Sequence, residues 1–215
     1  MKKVGIIGAS GMAGRAVYKL VTNNSQLEPT GIIRNEDKAR KVLGNNANLL
    51  IGDALAMDNE ELTRFDVLVD ALGTTSAQAD QQIELAKKLI EVARQSKARV
   101  IFILGAGSLK TGEDHHLFVK DLEKLPNAES WVNTPRQQLK ELQFLKTIND
   151  VDWLGISPSA NFTAGPATNY ILGKDELLKN KAGESKTNSG TMAEVIVSEI
   201  VEPVHHKQRI TVANE

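Results

Sequence analysis

The 215-residue chain carries 26 basic and 27 acidic side chains for a net charge of −1, with 41% hydrophobic and 25% charged residues and no cysteine. The length suits a single globular domain, expected over 1–215, and leaves no room for a separate substrate domain. The missing cysteines exclude disulfides, thiolate metal sites and thiol catalysis, and the balanced charge argues against a nucleic-acid partner.

Residues 4–7 form a compact apolar run ending at Gly8, read as a buried strand. Lys2 and Lys3 before it imitate the start of a secretory signal, but the run is too short and meets glycine at once. Residues 12–21 then show helical spacing through Ala13, Val17, Leu20 and Val21. Strand 29–33, a short charged helix 36–43, and strands 47–51 and 65–69 follow. A helix is expected over 77–93, where Ile83, Leu85, Leu89, Ile90 and Val92 make a broad stripe. Residues 100–104 are another apolar strand, and 107–135 read as loop. Pro135 suits the first turn of a helix over 135–148. Strand 151–156, helix 191–201 and strand 208–212 complete the chain. Strands that are apolar throughout, rather than alternating, are covered on both faces, so the pattern predicts an α/β fold: one Rossmann-type, doubly wound parallel sheet. The segment 157–190 is left as a small extension on the substrate side. No apolar stretch is long enough to span a membrane, and a cytoplasmic protein, monomer or homodimer, is expected.

Gly8-Ala9-Ser10-Gly11-Met12-Ala13-Gly14 lies between the first strand and the first helix. Glycine permits the tight turn, a close approach by a pyrophosphate and tight packing of helix on sheet, while the helix N-terminus offers amides to phosphate. This context predicts dinucleotide binding. An acidic residue at the end of the second strand would hold the ribose 2′-hydroxyl of NAD. Arg34-Asn35 stand there instead, and a guanidinium matches a 2′-phosphate, so NADP is favoured over NAD. Asp53, closing the third strand, either accepts from the adenine amine or serves a turn. Ala71-Leu72-Gly73-Thr74 after the fourth strand are small enough for a cofactor to cross the strand ends.

Taken with Gly52-Asp53, Gly105-Ala106-Gly107-Ser108-Leu109, Asp152-Trp153, Ser157-Pro158, Gly165, Thr168, Tyr170, Gly183-Glu184-Ser185 and Arg209-Ile210-Thr211-Val212, these motifs resemble the atypical short-chain dehydrogenase/reductases. More narrowly, they resemble the NADH-flavin reductase and biliverdin-IXβ-reductase-like group, over nearly the whole chain. The resemblance implies a single NAD(P)-binding domain that reduces flavins or similar small acceptors. The chain departs from the group at Ala167 and at Gly190-Thr191, both expected near a substrate pocket.

Catalytic candidates are few. The Tyr-x-x-x-Lys spacing of ordinary short-chain dehydrogenases occurs only at Tyr170 and Lys174, after the sixth strand rather than on the preceding helix. Ser108 follows the fifth strand and is the one candidate catalytic residue, either beside the nicotinamide or as a turn serine. Ser157, Pro158 and Ser159 are expected at the nicotinamide; Asn161, Phe162 and Tyr170 are expected to shape the acceptor pocket, where Trp131 and Phe118 are the other rings available to stack on a flat acceptor. His115-His116 and His205-His206 read as solvated, and no metal is expected. Hydride transfer to a flavin needs little acid catalysis, which suits this inventory. The alternatives are a non-catalytic NADP-binding redox sensor and, more distantly, a sugar-nucleotide epimerase relative.

Overall fold

Each apolar run of the sequence becomes a strand of one sheet. The computed structural model describes residues 1–215. In chain order the elements are β1 (Lys2–Ile7), α1 (Met12–Thr22), β2 (Leu27–Ile33), α2 (Glu36–Leu43), β3 (Leu49–Ile51), the short α3 (Asn59–Thr63) and β4 (Val67–Asp70). They continue with α4 (Asp80–Ser96), β5 (Arg99–Ile103), β6 (Lys110–Thr111), β7 (His116–Leu117), α5 (Val119–Leu122) and α6 (Asn133–Leu145). The chain closes with β8 (Trp153–Pro158), β9 (Asn161–Thr163), β10 (Tyr170–Gly173), β11 (Lys186–Asn188), α7 (Ser189–Val201) and β12 (Gln208–Asn214).

The main sheet has eight strands in the order β10-β12-β8-β5-β4-β1-β2-β3. All pairs are parallel except β10 on β12. The chain runs outward from β1 to β2 and β3, then returns to β4 on the other flank. The order therefore reverses between β1 and β4, where an open α/β sheet has its ligand crevice at the strand carboxyl ends.

Two apolar clusters of 21 buried residues each cover the sheet, so neither face is open. One packs Val17, Val21, Ile196 and Ile200 of α1 and α7 against Val4, Ile6, Val69 and Ile101. The other packs Leu85, Leu89, Leu142 and Leu145 of α4 and α6 against Leu68, Val100 and Phe102. This is why the strands lack alternation. At the strand amino ends, the buried Arg99 donates to Glu199 (2.9 Å), Asp152 (2.9 Å) and the His205 carbonyl (2.7 Å). His205 and His206 bond Glu199 and Asp152 in turn. This pair is thus partly built into an ion network rather than simply solvated, while His116 lies between Asp114 and Asp121 at 2.5 and 2.8 Å.

The expected loop 107–135 holds more structure than its mixed composition suggests: the β6–β7 ribbon, α5 and the start of α6. Two-residue strands and a one-turn helix are too short to show a period. Strands β9, β10 and β11 in the 157–190 extension escape prediction for the same reason. The helix expected over 77–93 starts later because residues 76–78 form a separate 3₁₀ turn.

Candidate functional site

Two cavities meet over the β1–β4 switch point. The first, about 460 Å³, is lined by Gly11–Ala13, Ala71–Thr74, Gly105–Gly107, Pro158, Ser159 and the rings of Phe118, Trp131 and Phe162. The second, about 220 Å³, is lined by Gly8, Ser10, Gly11, Arg34, Asn35, Lys38, Asp53 and again Ala71–Gly73. Gly11 and residues 71–73 belong to both, so the two form one trough crossing the glycine turn.

Backbone geometry explains the glycines separately. Gly8 turns with φ +72, and a Cβ there would lie 2.5 Å from the Ala71 carbonyl oxygen. A Cβ on Gly14 would press on the Gly8 carbonyl group and lie 2.9 Å from Ala9 Cα. Gly11 is different: only the Gly8 oxygen, at 3.1 Å, would touch its Cβ. Gly11 is the N-cap of α1, with no side chain capping it and no acidic residue in the first turn. The first amides of α1 therefore lack helical acceptors and open on the trough, an arrangement suited to a pyrophosphate. At Gly73 a Cβ would meet nothing within 4 Å, so this glycine keeps the shared stretch open. Ala9 is fully buried in the core, and neither it nor Gly14 lines a cavity. These two motif members shape the turn from behind.

The second cavity ends in cations. Arg34 and Lys38 line it, while Glu36 is drawn away to Arg40 at 2.6 Å and neither Glu36 nor Asp37 faces the cavity. Asn35 caps α2, its side-chain oxygen accepting from Lys38 N at 2.9 Å. Asp53 accepts from Leu55 N at 3.0 Å, with its second carboxylate oxygen 3.9 Å from Arg34. It is thus a turn residue that also lines the cavity.

The first cavity is reached by fewer predicted residues than expected. Pro158 and Phe162 line it; Asn161 is exposed and Tyr170 packs half-buried against the core, and neither reaches it. Tyr170 and Lys174 do not form a helical dyad, because Tyr170 begins β10 and four residues along a strand span ~13 Å. Ser108 is 3% exposed and Ser157 fully buried. Both hydroxyls donate to the Gly105 carbonyl (3.1 and 3.2 Å) and accept from Arg209 (3.0 and 3.2 Å). Neither lines the cavity; they brace its wall from behind, because a buried guanidinium needs several acceptors. Nor do Ala167 and Gly190 line this cavity; they pack against each other, with Gly190 N donating to Gly165 O at 3.0 Å.

Of the polar groups of this cavity, Thr74 and Ser159 were expected, whereas Gln82, Thr134 and Gln138 were missed. Gln82 was visible in principle, since it shares the buried stripe of α4 with Ala86, Leu89 and Ala93. No ionisable side chain lines the first cavity at all.

Asp70 and Glu141 lie buried below the trough floor. Asp70, at the end of β4, accepts from Leu72 N at 2.9 Å and so shapes the 71–73 turn. Burial pushes its carboxyl up to about 6. Burial, and then the Asp70 charge, push Glu141 well above the ordinary range. A carboxyl whose folded pKa is raised binds its proton more tightly in the native state. For Asp70 that stabilisation is complete below about pH 4 and is lost as pH rises through about 6; for Glu141 the loss continues as pH rises further. Glu141→Gln is therefore expected to raise the melting temperature at pH 8 by ~3–8 °C, and by much less at pH 5. Thermal melts at both pH values check this; an equal gain at the two would contradict it.

Comparison with known proteins agrees with this geometry. A Bacillus subtilis protein named YwnB, itself uncharacterized, is 32% identical over 216 residues, covering 99% of each chain. A Lactobacillus casei structure superposes with a TM-score of 0.91 at 32% identity, over 99% of both chains. A Streptococcus pneumoniae structure, whose protein is named as a proposed NADH-flavin reductase, gives 0.87 at 26% identity over the whole of both chains. The model of the NAD(P)H-binding family matches residues 8–203, from the first glycine of the turn to just beyond α7. The chain belongs to the NAD(P)H-binding family, within the atypical short-chain dehydrogenase/reductase-like proteins, and its cofactor is a nicotinamide dinucleotide.

Proposed function

We propose that the protein is an NADPH-dependent reductase of a flat, flavin-like acceptor. The observation that carries this reading is the ring-walled cavity without an ionisable side chain. Reduction of a ketone, or epimerisation of a sugar, needs a positioned acid or base within hydrogen-bond reach. A flavin accepts the hydride into its own electron sink and takes its proton from water, so the protein has only to orient two rings. The relationship to the Streptococcus protein and its name supports the same class of acceptor.

The chain's own groups divide the work along the trough. The amides of α1 at Gly11–Ala13 receive the pyrophosphate, Arg34 and Lys38 the 2′-phosphate, and Asp53 the adenine amine. Pro158, Ser159 and Gly105–Gly107 border the nicotinamide, which supplies the hydride when the cofactor is bound. Phe118, Trp131 and Phe162 offer faces for the acceptor and exclude water from the meeting of the two rings.

Steady-state oxidation of NADPH with FMN, FAD and riboflavin tests the activity. Turnover well above the rate without protein is expected. Tight cofactor binding with no turnover for any acceptor would favour the redox-sensor reading, which a cavity lacking acid and base also fits. The preference for NADP rests on Arg34. Arg34→Ala is expected to lower kcat/KM for NADPH by ~10–100-fold, the worth of a charge-assisted pair, and to change that for NADH by less than ~3-fold. Equal losses for the two cofactors would contradict the assignment.

A further inference from the structure

Gln82, on the wall of the first cavity, carries a polar atom without a partner. The residue is 5% exposed, lines the ring-walled cavity, and donates from its amide Nε2 to Thr74 Oγ1 at 3.1 Å. Its Oε1 is buried and accepts from nothing. The side chain is held in place around it. Thr74 anchors the amide, and Asn133 Nδ2 donates to the Ser76 carbonyl at 2.7 Å, tying the start of α6 to the turn before α4. Trp131 stands just ahead of that junction, and Gln138 of α6 lies against Gly105. A buried carbonyl oxygen left without a donor is costly, and native structures seldom keep one without a use.

We propose that Gln82 is a specificity-determining residue that reads an N–H donor on the edge of the acceptor, as a lactam or cyclic imide ring presents. The inference deepens the reductase reading and rests on it. The occupant must be flat, to lie among the three rings, and must carry a donor, to meet Oε1. Isoalloxazines have both properties through their imide N–H; simple quinones are flat but offer only acceptors. A site built to bond a donor discriminates strongly against the analogue lacking it, because its own polar group is then left unpaired.

The test compares lumiflavin with N3-methyl-lumiflavin and uses 1,4-naphthoquinone as an acceptor without a donor. Binding of the two flavins is read by fluorescence quenching on protein loaded with NADP+, where no reduction occurs, and turnover is read with NADPH. In the unmodified protein, N3-methylation is expected to weaken binding and kcat/KM by ~10–100-fold. In Gln82→Met, which keeps the side-chain length, lumiflavin is expected to fall by a similar factor, the methylation effect to shrink below ~3-fold, and naphthoquinone turnover to stay within ~3-fold. The comparison on unmodified protein stands even if the variant fails to fold. A methylation effect that persists in Gln82→Met reports bulk alone and overturns the proposal. So does equal loss for flavin and quinone, or a loss of NADPH affinity without acceptor, which would assign Oε1 to the cofactor. If the unmodified protein reduces neither flavin nor quinone, the reductase reading itself has failed.

Discussion

Gly14→Ala is expected to lower the melting temperature by at least ~6–12 °C, whereas Gly11→Ala leaves it within ~3 °C. The two glycines belong to one motif, but a methyl group meets different surroundings at each. On Gly14 it is driven into the Gly8 carbonyl group and to 2.9 Å from Ala9 Cα, both main-chain atoms of the turn under α1. Backbone cannot rotate aside as a side chain can, so α1 must lift from the sheet, taking Val17 and Val21 out of the core. Overpacking costs ~1–3 kcal/mol where side chains can yield and more where they cannot, and each kcal/mol moves the melting temperature by ~2–4 °C at this size. On Gly11 the only near atom is the Gly8 oxygen at 3.1 Å, and the methyl projects toward the trough. Its penalty falls on the cofactor, whose dissociation constant is expected to rise at least ~10-fold. Thermal melts and cofactor titration of both variants check the pair; equal melting losses would contradict the division of roles.

Arg209→Leu is the second large effect, expected to cost ~3–5 kcal/mol, or ~6–20 °C. The Arg209 side chain is 2% exposed and joins three segments of the wall: the turn after β5 through Ser108, the end of β8 through Ser157, and the loop after β10 through Asp175. Burial alone would push the Asp175 carboxyl up, but the bond and charge of Arg209 outweigh it and hold the group below the usual carboxylate range. With a depressed native pKa, the stabilisation from Asp175 is present above about pH 4 and is lost as pH falls further. The melting gap between Arg209→Leu and the unmodified protein should therefore narrow in acid. Arg209→Lys keeps the charge but not the fork that reaches several acceptors, so it is expected to fall between the two. Melts across pH test this; a gap of under ~1 kcal/mol, or one independent of pH, would contradict it.

The parallel sheet was legible because its strands are buried on both faces and read as unbroken apolar runs, such as Val-Ile-Phe-Ile in β5. The glycine turn was legible because its position between strand and helix is itself a local signal. Arg34 could be placed beside the second cavity by register alone, since it directly follows β2. The ring-walled cavity was harder. Phe118 and Trp131 come from the region 107–135 without period, and Gln138 of α6 reaches Gly105 only through tertiary packing. Ser108 shows the opposite failure. Its place after β5 is right, but the side chain turns away from the trough because Arg209, a hundred residues on, needs its oxygen. Likewise Glu141 shows as a single charge beside an apolar stripe, and nothing local marks its proximity to Asp70.

The central claim is that hydride leaves NADPH for a flavin held in a cavity that contributes no proton. Anaerobic rapid mixing of NADPH-loaded protein with FMN measures it directly, following cofactor and flavin absorbance together. The account predicts that both fall in equal amounts and at the same rate, well above that without protein, with little dependence on pH between ~6 and 8 because no ionisable side chain lines the cavity. Cofactor and flavin that persist together on protein saturated with NADPH would contradict it.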